Sequence, residues 1–231
     1  MISTQRLFGH FFAVLFSVTL VLTVSLQLEV YIQSSSIGES MIAVSIVHSC
    51  IVYVALNVRT NSDLDVRLNP FVSIFEWVFN RYSSPNNYLI LTVELIAQST
   101  GALMASLLFA GTAPTSFTIV SSIVKSPGWT LIMEIIGSFS FSWIYFHNYY
   151  DKESVNLAFT VACALGVFSG ILFPYHGVST FNPLRTLAKC IPTSTCAIST
   201  YEYILYLGPF LGILLGYCGS IVSRQNTRKI K

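Results

Sequence analysis

Charge is scarce in this chain. Only 10% of its 231 residues are charged, against about 25% in a typical soluble domain, and that scarcity excludes a soluble globular protein. The net charge of +2 is too small to argue for nucleic acid, and no nucleic-acid partner is expected. The five cysteines show no metal-ligand spacing, so no metal or other cofactor is expected. No nucleophile stands beside a base, so nothing supports an enzyme. A cleavable leader is also missing: the first apolar stretch has no small-residue cleavage site and reads as a retained first helix.

What is present is hydrophobic. Apolar residues make up 53% of the chain and the mean hydropathy is +0.67, the profile of an integral membrane protein embedded in a lipid bilayer. Six segments are long enough to cross about 30 Å of hydrocarbon: Leu7–Leu28, Met41–Val58, Tyr88–Ala110, Trp129–His147, Val155–Phe173 and Tyr201–Val222. Basic residues are distributed unevenly between their connections. With both termini cytoplasmic, the inner face receives Arg6, Arg59, Arg67, Arg81, Lys152, Arg224, Arg228, Lys229 and Lys231, and the outer loops only Lys125 and Lys189.

Two shorter apolar stretches, Asn69–Phe79 and Asn182–Ala188, cannot span. Each opens on Asn-Pro, about half the chain apart. Asn caps a helix N-terminus and Pro suits its first position, so each pair starts a short re-entrant helix, tolerated at membrane depth only inside protein or along a wet cavity. Such a helix aims its positive dipole end and unpaired N–H groups at whatever passes. The alternative, an ordinary turn at each pair, is weak for two pairs at equivalent positions. Each half reads helix, helix, half-helix, helix: about 7–110, then 129–222, with residues 223–231 as a tail of one channel domain covering 1–231. Three spans per half invert the second half relative to the first, the plan that places a functional site near the midplane. Small residues recur every fourth position in the third helix (Ala97, Gly101, Ala105) and the sixth (Gly208, Gly212, Gly216), where helix backbones approach closely.

These residues resemble the aquaporins, the major intrinsic proteins, over nearly the whole chain. The two Asn-Pro pairs stand where that family carries paired Asn-Pro-Ala boxes. Ile96-Ala-Gln-Ser-Thr-Gly-Ala102 is similar to the third-helix pattern, Glu134-Ile-Ile-Gly137 to the fourth with its buried Glu, and Gly208-Pro-Phe-Leu-Gly212 to the sixth. The boxes depart from the pattern, reading Asn69-Pro70-Phe71 and Asn182-Pro183-Leu184, and the usual first-helix Glu is missing. Degenerate boxes, Phe181 and Cys190 resemble the unorthodox or superaquaporin branch.

The resemblance implies an all-α fold of six transmembrane helices and two re-entrant half-helices, a homotetramer, and passive permeation of water and small neutral solutes such as glycerol, urea or hydrogen peroxide. Asn69 and Asn182 would meet at the pore centre, and Arg185 would face the lumen as the selectivity-filter arginine. The remaining filter positions fall at Gly170 or Ser169, at Ser49 or His48, and at Ser179 or Thr180. His48 reads either as a filter donor or, slightly favoured, as a packing histidine. Phe71 and Leu184 either pack against neighbouring helices or narrow the pore. Glu134 is expected to accept backbone N–H groups from a half-helix loop, and Glu94 to stand in for the absent first-helix Glu.

Arg67 reads as an inner-vestibule residue or as a solvated partner of Asp63 or Asp65, the second being favoured. Cys50, Cys163 and Cys218 read as packing residues, while Cys190 and Cys196 share a loop and can pair in an oxidising compartment. The ending Arg228-Lys-Ile-Lys231 resembles an endoplasmic-reticulum retrieval signal, which favours an internal membrane; a positive-inside anchor is the alternative. Two other functions remain open: a non-conducting structural relative, and a secondary transporter.

Overall fold

The computed structural model describes residues 4–60, 67–79, 86–112, 127–151, 155–176, 181–185, 187–188 and 203–230. Among the described residues the fold is all helical. Long helices run over Thr4–Ser34 (α1), Ile37–Thr60 (α2), Asn86–Thr112 (α4), Pro127–Asp151 (α5), Val155–His176 (α6) and Ile204–Ile230 (α7), and the short α3 covers Pro70–Phe79. A second short helical segment begins at Pro183. Helix is the expected form, because lipid offers no partner to a free backbone N–H. α1 and α2 are joined tightly: Ser36 and Glu39 form a reciprocal capping box, the Ser36 N–H and hydroxyl both donating to Glu39 Oε2 at 2.9 and 2.7 Å.

Five of the long helices, α1, α2, α4, α5 and α7, are long and apolar enough to cross a membrane. In α6 the apolar stretch among the described residues is the shorter Phe159–Ile171. The whole 22-residue helix nonetheless reaches about 33 Å. Large apolar side chains such as Phe16, Leu20, Ile46, Leu107 and Phe159 cover the outside, as a lipid-facing surface requires. Cys50 and Cys218 lie on that surface and only Cys163 is half-buried, all three as free thiols. Packing therefore does not explain the first two, and lipid imposes no penalty on their exposure. Cys190, Cys196, Asp63 and Asp65 lie outside the described residues.

The helices pair as α1 with α4, α5 with α7, and α2 with α6. Exchanging the two halves of the chain maps the first pair onto the second and the third onto itself. Small residues set each contact. A Cβ on Gly101 would stand 3.0 Å from the Leu15 carbonyl and Val18 of α1. Gly208 and Gly212 lie against Glu134, Ile135 and Ser138 of α5, and Gly166 and Gly170 against Ser45 and Ser49 of α2. Hydroxyls stitch the same seams: Thr19 donates to the Gly101 carbonyl and Ser142 to the Gly212 carbonyl, both at 3.3 Å.

Two apolar cores result, and the short helices cross between them. Leu184 and Ala188 of the second half pack with Val14, Val18, Ala97 and Phe109 of the first. Val72 and Phe75 of α3 pack with Phe146, Leu165 and Ile213 of the second half.

Candidate functional site

The crossing brings the two Asn-Pro turns face to face. Each Asn caps its own segment: Asn69 Oδ1 accepts the Phe71 N–H at 3.0 Å, and Asn182 Oδ1 accepts the Leu184 N–H at 3.1 Å. Each amide nitrogen then reaches across. Asn69 Nδ2 donates to the Phe181 carbonyl and Asn182 Nδ2 to the Leu68 carbonyl, both at 2.8 Å. This reciprocal pair of bonds joins positions more than a hundred residues apart.

Phe181 holds a left-handed backbone with φ of 40°, a conformation that costs an L-residue about 1–2 kcal/mol. Three contacts fix it. Its N–H donates to Glu134 Oε2 at 3.1 Å, its carbonyl accepts from Asn69, and its ring fills the space above Gly137, where any Cβ would strike it.

The first turn is held differently. Glu94 of α4 accepts the Arg67 N–H at 3.1 Å and Arg67 Nη1 at 3.0 Å. Arg67 Nε donates to Glu76 of α3 at 2.5 Å. Gln98 Nε2 donates to the Arg67 carbonyl and to Ser73 Oγ at 2.8 and 2.9 Å. Arg67 is thus buried at 5% exposure, which corrects the expectation of a solvated pair in the preceding loop. A guanidinium drawn into the interior needs ionic partners, and α3 and α4 supply two. Sequence reasoning missed Glu76 and gave Gln98 no role. The available signal was a charged residue within a ten-residue apolar helix, one turn beyond Ser73.

A cavity of about 80 Å³ adjoins both asparagines. One face of α2 lines it with His48, Ile51, Val52 and Ala55, spaced i, i+3, i+4, i+7 over about 10 Å. Arg67, Leu68, Phe181, Phe141 and Tyr145 complete most of the wall. Of the two α2 candidates, His48 is on the wall. Ser49 is not: its hydroxyl donates to the Ser45 carbonyl at 2.8 Å and it packs on Gly166. Gly170 likewise backs onto Ser45, so Ser49 and Gly170 both contribute to the α2–α6 contact.

Ser169 is fully buried off this wall, and its Oγ meets no hydrogen-bond partner among the described residues. Arg185 is buried at 2% exposure, with its N–H donating to the Asn182 carbonyl at 3.2 Å; it too lies off this wall. Ser179 and Thr180 lie outside the described residues. Phe71 packs edge-on against Phe210 at 5.6 Å and Leu184 enters the first core, so neither large residue lines the cavity.

A family model described as Major intrinsic protein matches residues 2–219. No curated protein matches the chain.

Proposed function

The chain belongs to the major intrinsic protein family, whose members are membrane channels for water or small solutes and not enzymes. From that premise we propose that it is a passive channel for water and small neutral solutes, with Asn69 and Asn182 at the pore centre. The observation that carries this is the reciprocal bonding of the two amides beside one shared cavity. Each amide nitrogen has two N–H groups. One holds the opposite loop and fixes the side chain, and the other donates to the oxygen of a passing solute. Two helix N-termini converging on that point raise the barrier to cations and protons.

Arg185 and Ser169 form the filter beyond the asparagines in this reading. The unpartnered hydroxyl of Ser169 and the place of Arg185 three residues after Asn182 support it. The small side chain of Ser169 favours an aperture that also admits glycerol, urea or hydrogen peroxide. Closure of the pore by Phe71 and Leu184 finds no support, since both side chains are taken up by packing. The two halves act as inverted repeats of one domain, assembled as a homotetramer with both termini cytoplasmic. The degenerate boxes favour the unorthodox branch and an internal membrane such as the endoplasmic reticulum.

Stopped-flow light scattering on liposomes holding the purified chain tests the proposal. Fast shrinkage with an impermeant osmolyte and reswelling with glycerol are expected. Shrinkage no faster than empty liposomes, with the assembly intact, overturns it.

A further inference from the structure

Three large apolar residues flank the two asparagines, and only one of them lines the cavity. Among the described residues Leu184 enters the first core and Phe71 packs against the second. Phe181 belongs to neither; it is half-buried and lines the cavity directly before Asn182. Its backbone is held at both polar groups, the N–H by Glu134 and the carbonyl by Asn69. The ring alone is left to be placed, and α5 places it.

Gly137 is buried on α5, and Cδ1, Cε1 and Cζ of the Phe181 ring occupy the position that a Cβ there would take. Gly137, Phe141 and Tyr145 stand four residues apart, so they follow one face of α5 over about 12 Å. Phe141 and Tyr145 both line the cavity, with their rings 5.9 Å apart and inclined by 22°. At Gly137 the helix has no side chain to continue this wall, and the ring of Phe181 fills the gap. The aromatic wall therefore has two members on α5 and a third on the turn that carries Asn182.

We propose that Phe181 is a specificity-determining residue of the pore and Gly137 its positioning residue. The bare backbone at Gly137 draws the ring to the wall, and this sets the aperture beside Asn69 and Asn182 for solutes larger than water. The assignment rests on the channel reading above. A ring kept out of the Gly137 recess has the cavity as the open space beside it. That cavity measures about 80 Å³, whereas an engineered apolar cavity of about 150 Å³ holds a single benzene. It cannot take the ring and a solute together.

The test measures glycerol and water permeability of the full-length chain in liposomes and compares their ratio in wild type, Gly137→Ala, Phe181→Gly and the double variant. Phe181→Gly removes the ring, keeps the N–H and carbonyl that Glu134 and Asn69 hold, and suits the positive φ. Gly137→Ala is expected to lower the glycerol-to-water ratio by about threefold or more, and Phe181→Gly to raise it by as much, because the larger solute responds more steeply to pore width. The double variant is expected to return at least to the wild-type ratio, since the added methyl then has no ring to displace. A double variant that stays at the Gly137→Ala ratio overturns the assignment, because the methyl then acts through something other than Phe181. A smaller shift in either single variant overturns it as well. If one single variant fails to assemble, the other decides by the same criterion. Where wild type passes water and no glycerol, Phe181→Gly is expected to admit glycerol, and its failure to do so overturns the assignment while the channel reading stands. Wild-type liposomes without accelerated water flux overturn the channel reading itself, and this assignment with it, a result distinct from an unchanged ratio in a working channel.

Discussion

The Glu134 carboxylate accepts the backbone N–H of Phe181 at 3.1 Å, and Phe181 is the non-glycine residue with positive φ among those described. A buried acid on α5 therefore holds the strained residue to whose carbonyl Asn69 donates. Replacing Glu134 with Leu leaves the Phe181 N–H without this acceptor, at a cost of about 1–3 kcal/mol. A lower unfolding temperature in detergent is expected, with reduced water permeability. Glu134→Gln keeps a carbonyl acceptor and should lose less. Equal behaviour of the two variants would show that the hydrogen bond is not what matters.

Arg67 and its two acids should respond asymmetrically. Arg67→Met alone strands two buried carboxylates and is expected to destabilise the fold by about 3–5 kcal/mol. Adding Glu76→Gln and Glu94→Gln to it should recover most of that loss. Thermal unfolding of the single and triple variants decides the point; a triple variant no more stable than the single one contradicts it.

The glycines divide by what surrounds them. Gly166→Ala drives a methyl into Ser49 and the Ser45 carbonyl, an overpacking cost of about 1–3 kcal/mol. At Gly9 nothing lies within 4 Å of an added Cβ, and within α1 the change to Ala should stabilise by about 0.5–1 kcal/mol. Opposite shifts in unfolding temperature are expected, and shifts of the same sign would count against the α2–α6 seam as described.

Asn69→Asp keeps the Oδ1 cap to Phe71 and removes the Nδ2 donor to Phe181. Loss of one buried hydrogen bond, plus a charge beside the cavity, is expected to lower water permeability about tenfold, the equivalent of about 1.4 kcal/mol. Stopped-flow scattering measures it; wild-type permeability would remove Asn69 from the conducting path.

Much of this architecture is legible in the sequence because its signals are local. Hydropathy marks the long helices, and Asn followed by Pro marks the start of each short one wherever it lies in space. The residues lining the cavity are less legible. On a helix a shift of one residue turns a side chain by about 100°, so neighbouring candidates point in unrelated directions: His48 reaches the cavity while Ser49 reaches α6. Small residues carry two meanings, a wide aperture or a close helix contact, and the sequence alone does not separate them; Gly170 makes a close helix contact with Ser45. The solvated reading of Arg67 fails because its partners lie on α3 and α4, and only the folded chain brings Glu76 and Glu94 to it.

The exchange of the short helices between the two cores bears on how the protein is made. Chains are synthesised N-terminus first. When α1, α2 and α4 have entered the bilayer, their core still lacks Leu184 and Ala188, which belong to a segment not yet translated. Meanwhile Val72 and Phe75 await Phe146, Leu165 and Ile213. The first half alone therefore lacks part of its core, and its native packing waits until the second half has been synthesised.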